Sequence, residues 1–292
     1  MYSKKKSQKF WDYYALRKVR EAFYAEPSRG VCERIYKSIM KRMLEMSLWP
    51  YREVLKKQEA DFEEDLSFME GKPVYRFLYQ NKLITMFLPQ YKVDNLQREI
   101  VRGKEFYELD LLRYIAKKYH INDMVIIDCG ANIGNHTVFF KKVMNAKKII
   151  SFEGNPDTCK LLKKNIELND MIEDVEVYNY VLGEKSSMAS IEHFEETNIG
   201  GTSFCENTNG TLKMISIDEM NIEDHIDFVK MDVEGFEYHV LKGMRKLLER
   251  DKPVLWVEIF PDKYEKVTKV LSASGYSLKE NLGGANYIFT CE

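Results

Sequence analysis

The sequence predicts an α/β protein built on a largely parallel sheet, and three observations carry the prediction. From Met124 onward, strand-like and helix-like runs alternate, as in right-handed βαβ units. An apolar strand at Val125–Asp128 passes through Gly130 and Gly134 into a helical run. Such glycines reach positive φ and let a ligand approach the backbone. A third run, Lys230–Glu234, places Lys230, Asp232 and Glu234 on one face of a strand, because side chains alternate along a strand.

Residues 1–70 read as helical. Trp11, Ala15, Val19 and Ala22 recur at helical spacing until Pro27-Ser28-Arg29-Gly30, and Ile35, Ile39, Met43 and Met46 share a second face until Trp49-Pro50. Residues 71–103 read as a hairpin and linker, with VYRFLY and LITMFL flanking Gln80-Asn81-Lys82. Residues 104–292 form the third region. It opens with an amphipathic helix over Lys104–Tyr119, carrying Phe106, Leu109, Leu112, Ile115 and Ala116.

Within that region, strands are expected at Met124–Asp128, Lys148–Phe152, Val175–Val181, Phe228–Asp232 and Val254–Ile259. Helices are expected at Thr137–Met144 and Thr158–Leu168, and another carries Val240, Leu241, Met244 and Leu247. Tyr276–Lys279 and Asn286–Cys291, around Gly283-Gly284, read as an antiparallel edge. The polar stretch His193–Asn209 reads as a loop, with Gly200-Gly201-Thr202-Ser203-Phe204 as a candidate lid.

Composition narrows the function classes. The 292 residues are 45% apolar, enough for a real core, and the net charge of -2 argues against a general polyanion binder. The charge is unevenly placed: residues 1–58 hold 15 Lys+Arg against 6 Asp+Glu, a net of +9, leaving -11 for the rest. That asymmetry suits either an anionic partner or a solvated helical face. No apolar run reaches membrane-spanning length, and MYSKKKSQKFWDYY lacks a secretory h-region. Five cysteines without a Cys-x-x-Cys pair suit a reducing compartment, so a cytoplasmic location is expected.

The glycine turn is the most informative segment. A dinucleotide fingerprint needs a glycine where Asn132 stands, which weakens a nicotinamide reading. Asp-x-Gly-x-Asn-x-Gly, at Asp128 to Gly134, instead fits an amino-acid-bearing adenosine. Asp128 is placed to accept from an ammonium, and Glu153, ending the next strand, to accept from two ribose hydroxyls. The helix start beyond Gly134 suits a carboxylate. Charged side chains in the Lys230–Glu234 strand are costly unless paired. They point to a site at the carboxyl edge of the sheet, or alternatively to an ion pair serving packing. Glu258 adds a carboxylate at a comparable edge.

Four segments together resemble the FkbM family of class I S-adenosylmethionine-dependent methyltransferases. They are Phe106-Tyr107-Glu108, Asp128-Cys129-Gly130-Ala131-Asn132-Ile133-Gly134-Asn135-His136, Gly200-Gly201-Thr202-Ser203, and Ile226 to Glu237 with its Lys230-x-Asp232-Val233-Glu234-Gly235 core. The resemblance covers about residues 100 to 291 and leaves 1–70 unexplained. It implies a Rossmann-like, mostly parallel seven-stranded sheet with helices on both faces, and methyl transfer to an oxygen, commonly on a sugar or natural product.

On this reading S-adenosylmethionine contacts fall to Glu108, Asp128, Gly130, Asn132, Gly134, Asn135, His136, Glu153, Asn155, Val181 and Asp232. Lys230, Asp232, Glu234 and Glu258 are the catalytic candidates, and Thr202, Ser203 and Glu258 would hold the acceptor. His239 reads as surface or packing. A carboxylate could take the hydroxyl proton, or a divalent metal such as Mg2+ held by Asp232 and Glu258 could acidify it; the metal-free route is slightly preferred. The expected acceptor is a sugar or glycan hydroxyl, with homo-oligomerisation through the N-terminal helices as a further expectation. Nucleic acid is not an expected partner. The rival readings are a nucleic-acid methyltransferase using the basic N-terminus and a non-catalytic module of the same fold.

Overall fold

The structure, a computed structural model, describes residues 69–291 together with Ala60, Phe62, Glu63 and Ser67. The expected helices of residues 1–58 lie outside the described residues. Residues 68–292 form one compact unit, and all that follows concerns it.

The unit opens with hairpin strands β1 (Val74–Tyr79) and β2 (Lys82–Phe87). They are joined at Gln80-Asn81, both at positive φ, as the twist-matched two-residue hairpin turn requires. Helix α1 (Asn95–Gly103) follows, occupying part of the expected linker. The single helix expected over Lys104–Tyr119 is instead α2 (Leu109–Tyr119), beginning after a break. Lys104 and Glu108 both take left-handed φ there, at +53° and +55°, a conformation that does not continue a right-handed helix.

The central sheet has seven strands in the order β12-β13-β11-β10-β3-β4-β5. Here β3 is Val125–Cys129, β4 Lys148–Phe152, β5 Val175–Tyr178, β10 Phe228–Met231, β11 Val254–Glu258, β12 Tyr276–Gly283 and β13 Asn286–Cys291. The block from β11 to β5 is parallel, whereas β13 pairs antiparallel with β11 and β12. The sheet is therefore mixed. Strand β3 is buried at every position, which explains its continuous apolar run.

Between these strands lie α3 (Asn135–Lys142), α4 (Pro156–Leu168), α5 (Glu237–Gly243), α6 (Arg245–Asp251) and α7 (Tyr264–Ala273). The run through Val240 and Leu247 is thus two short helices, not one. A second sheet, in the order β6-β9-β7-β8, was not anticipated. It contains β6 (Val181–Leu182), β7 (Ser187–His193), β8 (Ser203–Glu206) and β9 (Leu212–Ile215). The expected strand Val175–Val181 is divided at Asn179, whose Nδ2 donates to the carbonyls of Glu153 and Gly154. The expected loop His193–Asn209 contains a 3-10 turn at Ile199–Gly201 and strand β8.

The chain leaves β3 toward β4 on one side and returns to β10 on the other. This reversal of strand order opens a crevice at the carboxyl ends. The hairpin is fastened to the back of that crevice by asparagines. Asn165 accepts from Phe87 N at 2.5 Å and donates to Ile133 O, in the glycine turn, at 2.7 Å. Asn169 bonds both backbone groups of Thr85.

Asn165→Ala removes the partner of the part-buried Phe87 N–H and of the buried Ile133 carbonyl at once. Chemical denaturation should show a loss of about 2–3 kcal/mol, the scale of unsatisfied buried polar groups. A loss below about 0.5 kcal/mol, within the range of an indifferent surface change, would show that this bridge does not hold the hairpin.

Candidate active site

The turn after β3 is shaped by close approach. Gly130 (φ +76°) donates to Phe152 O at 3.0 Å, and a Cβ there would lie 1.7 Å from the Asp232 carbonyl oxygen. Only glycine permits that contact. Gly134 (φ +89°) would drive a Cβ to 2.7 Å from Leu162 of α4, so it serves helix packing and does not line the cavity.

A cavity of about 310 Å³ opens above this turn. Glu153, beyond the end of β4, is 8% exposed and joins the cavity floor. Its Oε2 accepts from Asn132 N at 2.9 Å and its Oε1 from Asn155 N at 2.7 Å. Burial outweighs these bonds and raises its pKa to about 7. Each carboxylate oxygen retains a second lone pair. Among the described residues Asn132 Oδ1 and His136 Nε2 are buried without a hydrogen-bond partner, and both residues line the cavity. His136 Nε2 lies 3.4 Å from Glu108 Oε2, and its ring meets Trp256 edge-on.

Several expected ligand contacts have other partners. Asp128 is fully buried beneath the turn, where Oδ2 accepts from Thr137 Oγ1 at 2.6 Å. Its Oδ1 is buried with no hydrogen-bond partner among the described residues, and Asp128 does not line the cavity. Asn135 clamps the backbone of Tyr107, accepting from its N at 2.9 Å and donating to its O at 3.0 Å. This clamp holds Glu108 at the cavity wall. Asn155 caps α4 by accepting from Asp157 N. Thr202 lines the cavity, but its hydroxyl donates to Ile199 O at 2.6 Å, and Ser203 lies outside the lining in β8. Val181 lines the cavity as expected, with Phe204 closing over Gly154 beside it. His239 stacks on Phe236 outside the cavity, with burial lowering its pKa.

The acidic strand end converges as expected. Lys230, Asp232, Glu234 and Glu258 all line the cavity. Lys230 is 5% exposed and donates to Asp232 Oδ2 at 3.2 Å and Gly130 O at 3.4 Å. Burial alone would lower its pKa, but the carboxylates of Asp232 and Asp128 outweigh burial and raise it. The ammonium therefore stays charged and is not a proton acceptor. Glu234 adopts φ +53°, a strained backbone for a non-glycine residue. Burial, then repulsion from Asp232, raises Glu234 to about 7 and Glu258 to about 8.

The metal proposal finds no donor set. Among the described residues no group of three or more His, Cys, Asp or Glu could hold a metal ion, and Asp232 is paired with the Lys230 ammonium at 3.2 Å. Among the described residues, no helix is long and apolar enough to cross a membrane. Sequence reasoning missed Asn95, Leu96, Asn198 and Phe260 in the lining. Phe260 had an available signal, standing two residues beyond Glu258; the others come from segments brought in by tertiary contacts.

A family model described as the methyltransferase FkbM domain matches residues 128–278. The chain is 33% identical over 175 residues to the hexuronic acid methyltransferase AglP of Haloferax volcanii, covering 58% of this chain and 70% of that protein. It is 23% identical over 160 residues to methyltransferase 1 of Beauveria bassiana, covering 45% of this chain and 64% of that protein. A solved FkbM methyltransferase from Methylobacillus flagellatus KT is similar at 16% identity and a TM-score of 0.43, over 68% of this chain and 62% of that one. Family match and relatives agree with the residues around the turn: the chain belongs to the FkbM methyltransferase family.

Proposed function

We propose that the protein transfers a methyl group from S-adenosylmethionine to a hydroxyl of a sugar, within a glycan or a glycosylated metabolite. The observation that carries the cofactor reading is Glu153. Held by two backbone amides, it keeps a further lone pair on each oxygen with which two ribose hydroxyls could pair, beside the close-packed turn at Gly130. The apolar wall of Gly154, Val181 and Phe204 suits an adenine ring. The cavity is lined by Glu108, Glu153, Asp232, Glu234 and Glu258 against Lys230 as the cationic side chain among the described residues, which favours a cationic ligand. A sugar acceptor is supported by the similarity to the hexuronic acid methyltransferase of Haloferax volcanii.

Bound in this cleft, S-adenosylmethionine supplies an electrophilic methyl group on a sulfonium. The protein's own task is to align the acceptor oxygen and remove its proton. Glu258 is the proposed proton acceptor. It has no hydrogen bond or ion pair among the described residues, and its raised pKa gives it useful basicity. Asp232, pinned by Lys230, orients the acceptor at the turn. Phe260 and Tyr107 offer apolar ring surface to the acceptor's carbon face.

Isothermal titration should show S-adenosylmethionine binding, and mass spectrometry should locate the transferred methyl on a sugar oxygen of an oligosaccharide panel. Absence of binding would remove the cofactor reading, and transfer confined to RNA or protein would remove the sugar. Because both Glu153 oxygens must accept, affinity should strengthen by roughly tenfold from pH 6 to pH 8, as linkage to a group near 7 requires. Glu153→Gln should weaken binding and flatten that profile. For Glu258 the charged form is the active one, so kcat/KM should rise with pH through about 8. Glu258→Gln should cut kcat by roughly 10²-fold or more, the usual reach of a general base, with little change in cofactor affinity. An unchanged kcat would assign the proton to another group.

A further inference from the structure

The cavity wall formed by Asn198, Ile199, Gly200 and Thr202 has an unusual support. Every residue from Ile191 to Asn198 is exposed, so this strap has little core of its own. Ile199 is the buried exception at 3% exposure. Two contacts fasten the strap to the N-terminus of α1. Asp94 Oδ2 accepts from Ile199 N at 3.0 Å, and Asn95 N donates to Thr197 O at 2.8 Å.

Asp94 itself is fully buried. Its other oxygen, Oδ1, caps α1 by accepting from Gln97 N at 2.9 Å. A serine would cap as well without burying a carboxylate. The second oxygen is what the aspartate adds, and its partner is the strap. Beyond the anchor the strap runs to the ligand walls. A Cβ at Gly200 would lie 2.5 Å from Asn132 Nδ2, and Phe204 closes on Gly154. Asn95 and Leu96, on the other side of the anchor, also line the cavity.

We propose that Asp94 is a positioning residue that, with the Asn95 N–H, bolts the Thr197–Thr202 strap along the cleft and so sets how long a bound nucleoside cofactor is retained. This rests on the cofactor reading given above. With either bolt removed, the strap departs from the glycine turn and the cofactor escapes faster. The Asp94 role is one of placement: it touches the strap backbone, not the reacting atoms.

The test uses substitutions that spare the helix. Asp94→Ser keeps a capping oxygen but is too short to reach Ile199. Asn95→Pro deletes the N–H at a helix position where proline is welcome, and Asp94 already has the extended backbone that a following proline requires. Asn95→Ala is its control, removing the side chain but keeping the N–H. In stopped-flow displacement of S-adenosylmethionine from the full chain, Asn95→Pro should release ligand roughly fivefold faster than Asn95→Ala, the scale of one lost hydrogen bond. Asp94→Ser should exceed wild type similarly, with melting temperatures within about 3 °C. Equal release rates within the Asn95 pair would overturn the proposal, even if Asp94→Ser failed to fold. A wild-type chain that binds no S-adenosylmethionine would overturn the cofactor reading instead. The anchor is then read by limited digestion with a glutamate-specific protease at Glu192, Glu195 and Glu196. Faster cleavage in Asn95→Pro than in Asn95→Ala supports the bolt, and equal cleavage refutes it.

Discussion

The meeting of two strand ends governs the rest of the molecule. Cys129 O accepts from Asp232 N at 3.0 Å, and the Asp232 carbonyl fills the space where a side chain on Gly130 would begin. Because nothing intervenes, the Lys230 ammonium reaches both the carbonyl of Gly130 and the carboxylate of Asp232. The turn that would cradle a nucleoside and the strand end that would face the acceptor are thereby one rigid object. A side chain at position 130 would separate them and uncouple the two halves of the site at once.

The same compaction concentrates negative charge. Glu153, Glu234 and Glu258 each sit partly or largely out of water, and burial is the leading cause of the upward shift in all three. One ammonium does not neutralise them, and it is already shared between Asp232 and Gly130. Such an arrangement costs stability in the empty protein and is relieved by a positive ligand, which is also the electrostatic requirement for holding a sulfonium. Besides their individual contacts, the carboxylates together form a matched environment for a cation.

What the sequence made legible was local. Strand β3, its glycines, Glu153 at the next strand end and the Lys230–Asp232–Glu234 face all follow from runs of adjacent residues with a period of two or a fixed turn spacing. What stayed hidden depends on partners far along the chain. The helix break at Lys104–Glu108 is stabilised by Asn135, whose contact with Tyr107 spans 28 positions. Asp128 and Asn155 have the right chemistry for ligand contacts, but Thr137 and the first turn of α4 engage them. No periodicity announced the sheet containing β7 and β8, because those strands bury a single residue, Ala189, and show no regular alternation of buried and exposed positions.

Those distant partners share a physical form. Asn165 joins Ile133 to Phe87, Asn135 joins the start of α3 to Tyr107, and Asp94 joins α1 to Ile199. In each case a buried polar side chain bonds backbone groups of a segment distant along the chain. A buried side chain that makes two such bonds fixes position more tightly than apolar packing, since displacement exposes unpaired donors to a dry interior. The segment from Asn95 to Glu108, which these bonds hold in place, gives Asn95, Leu96, Tyr107 and Glu108 to the wall of the cleft.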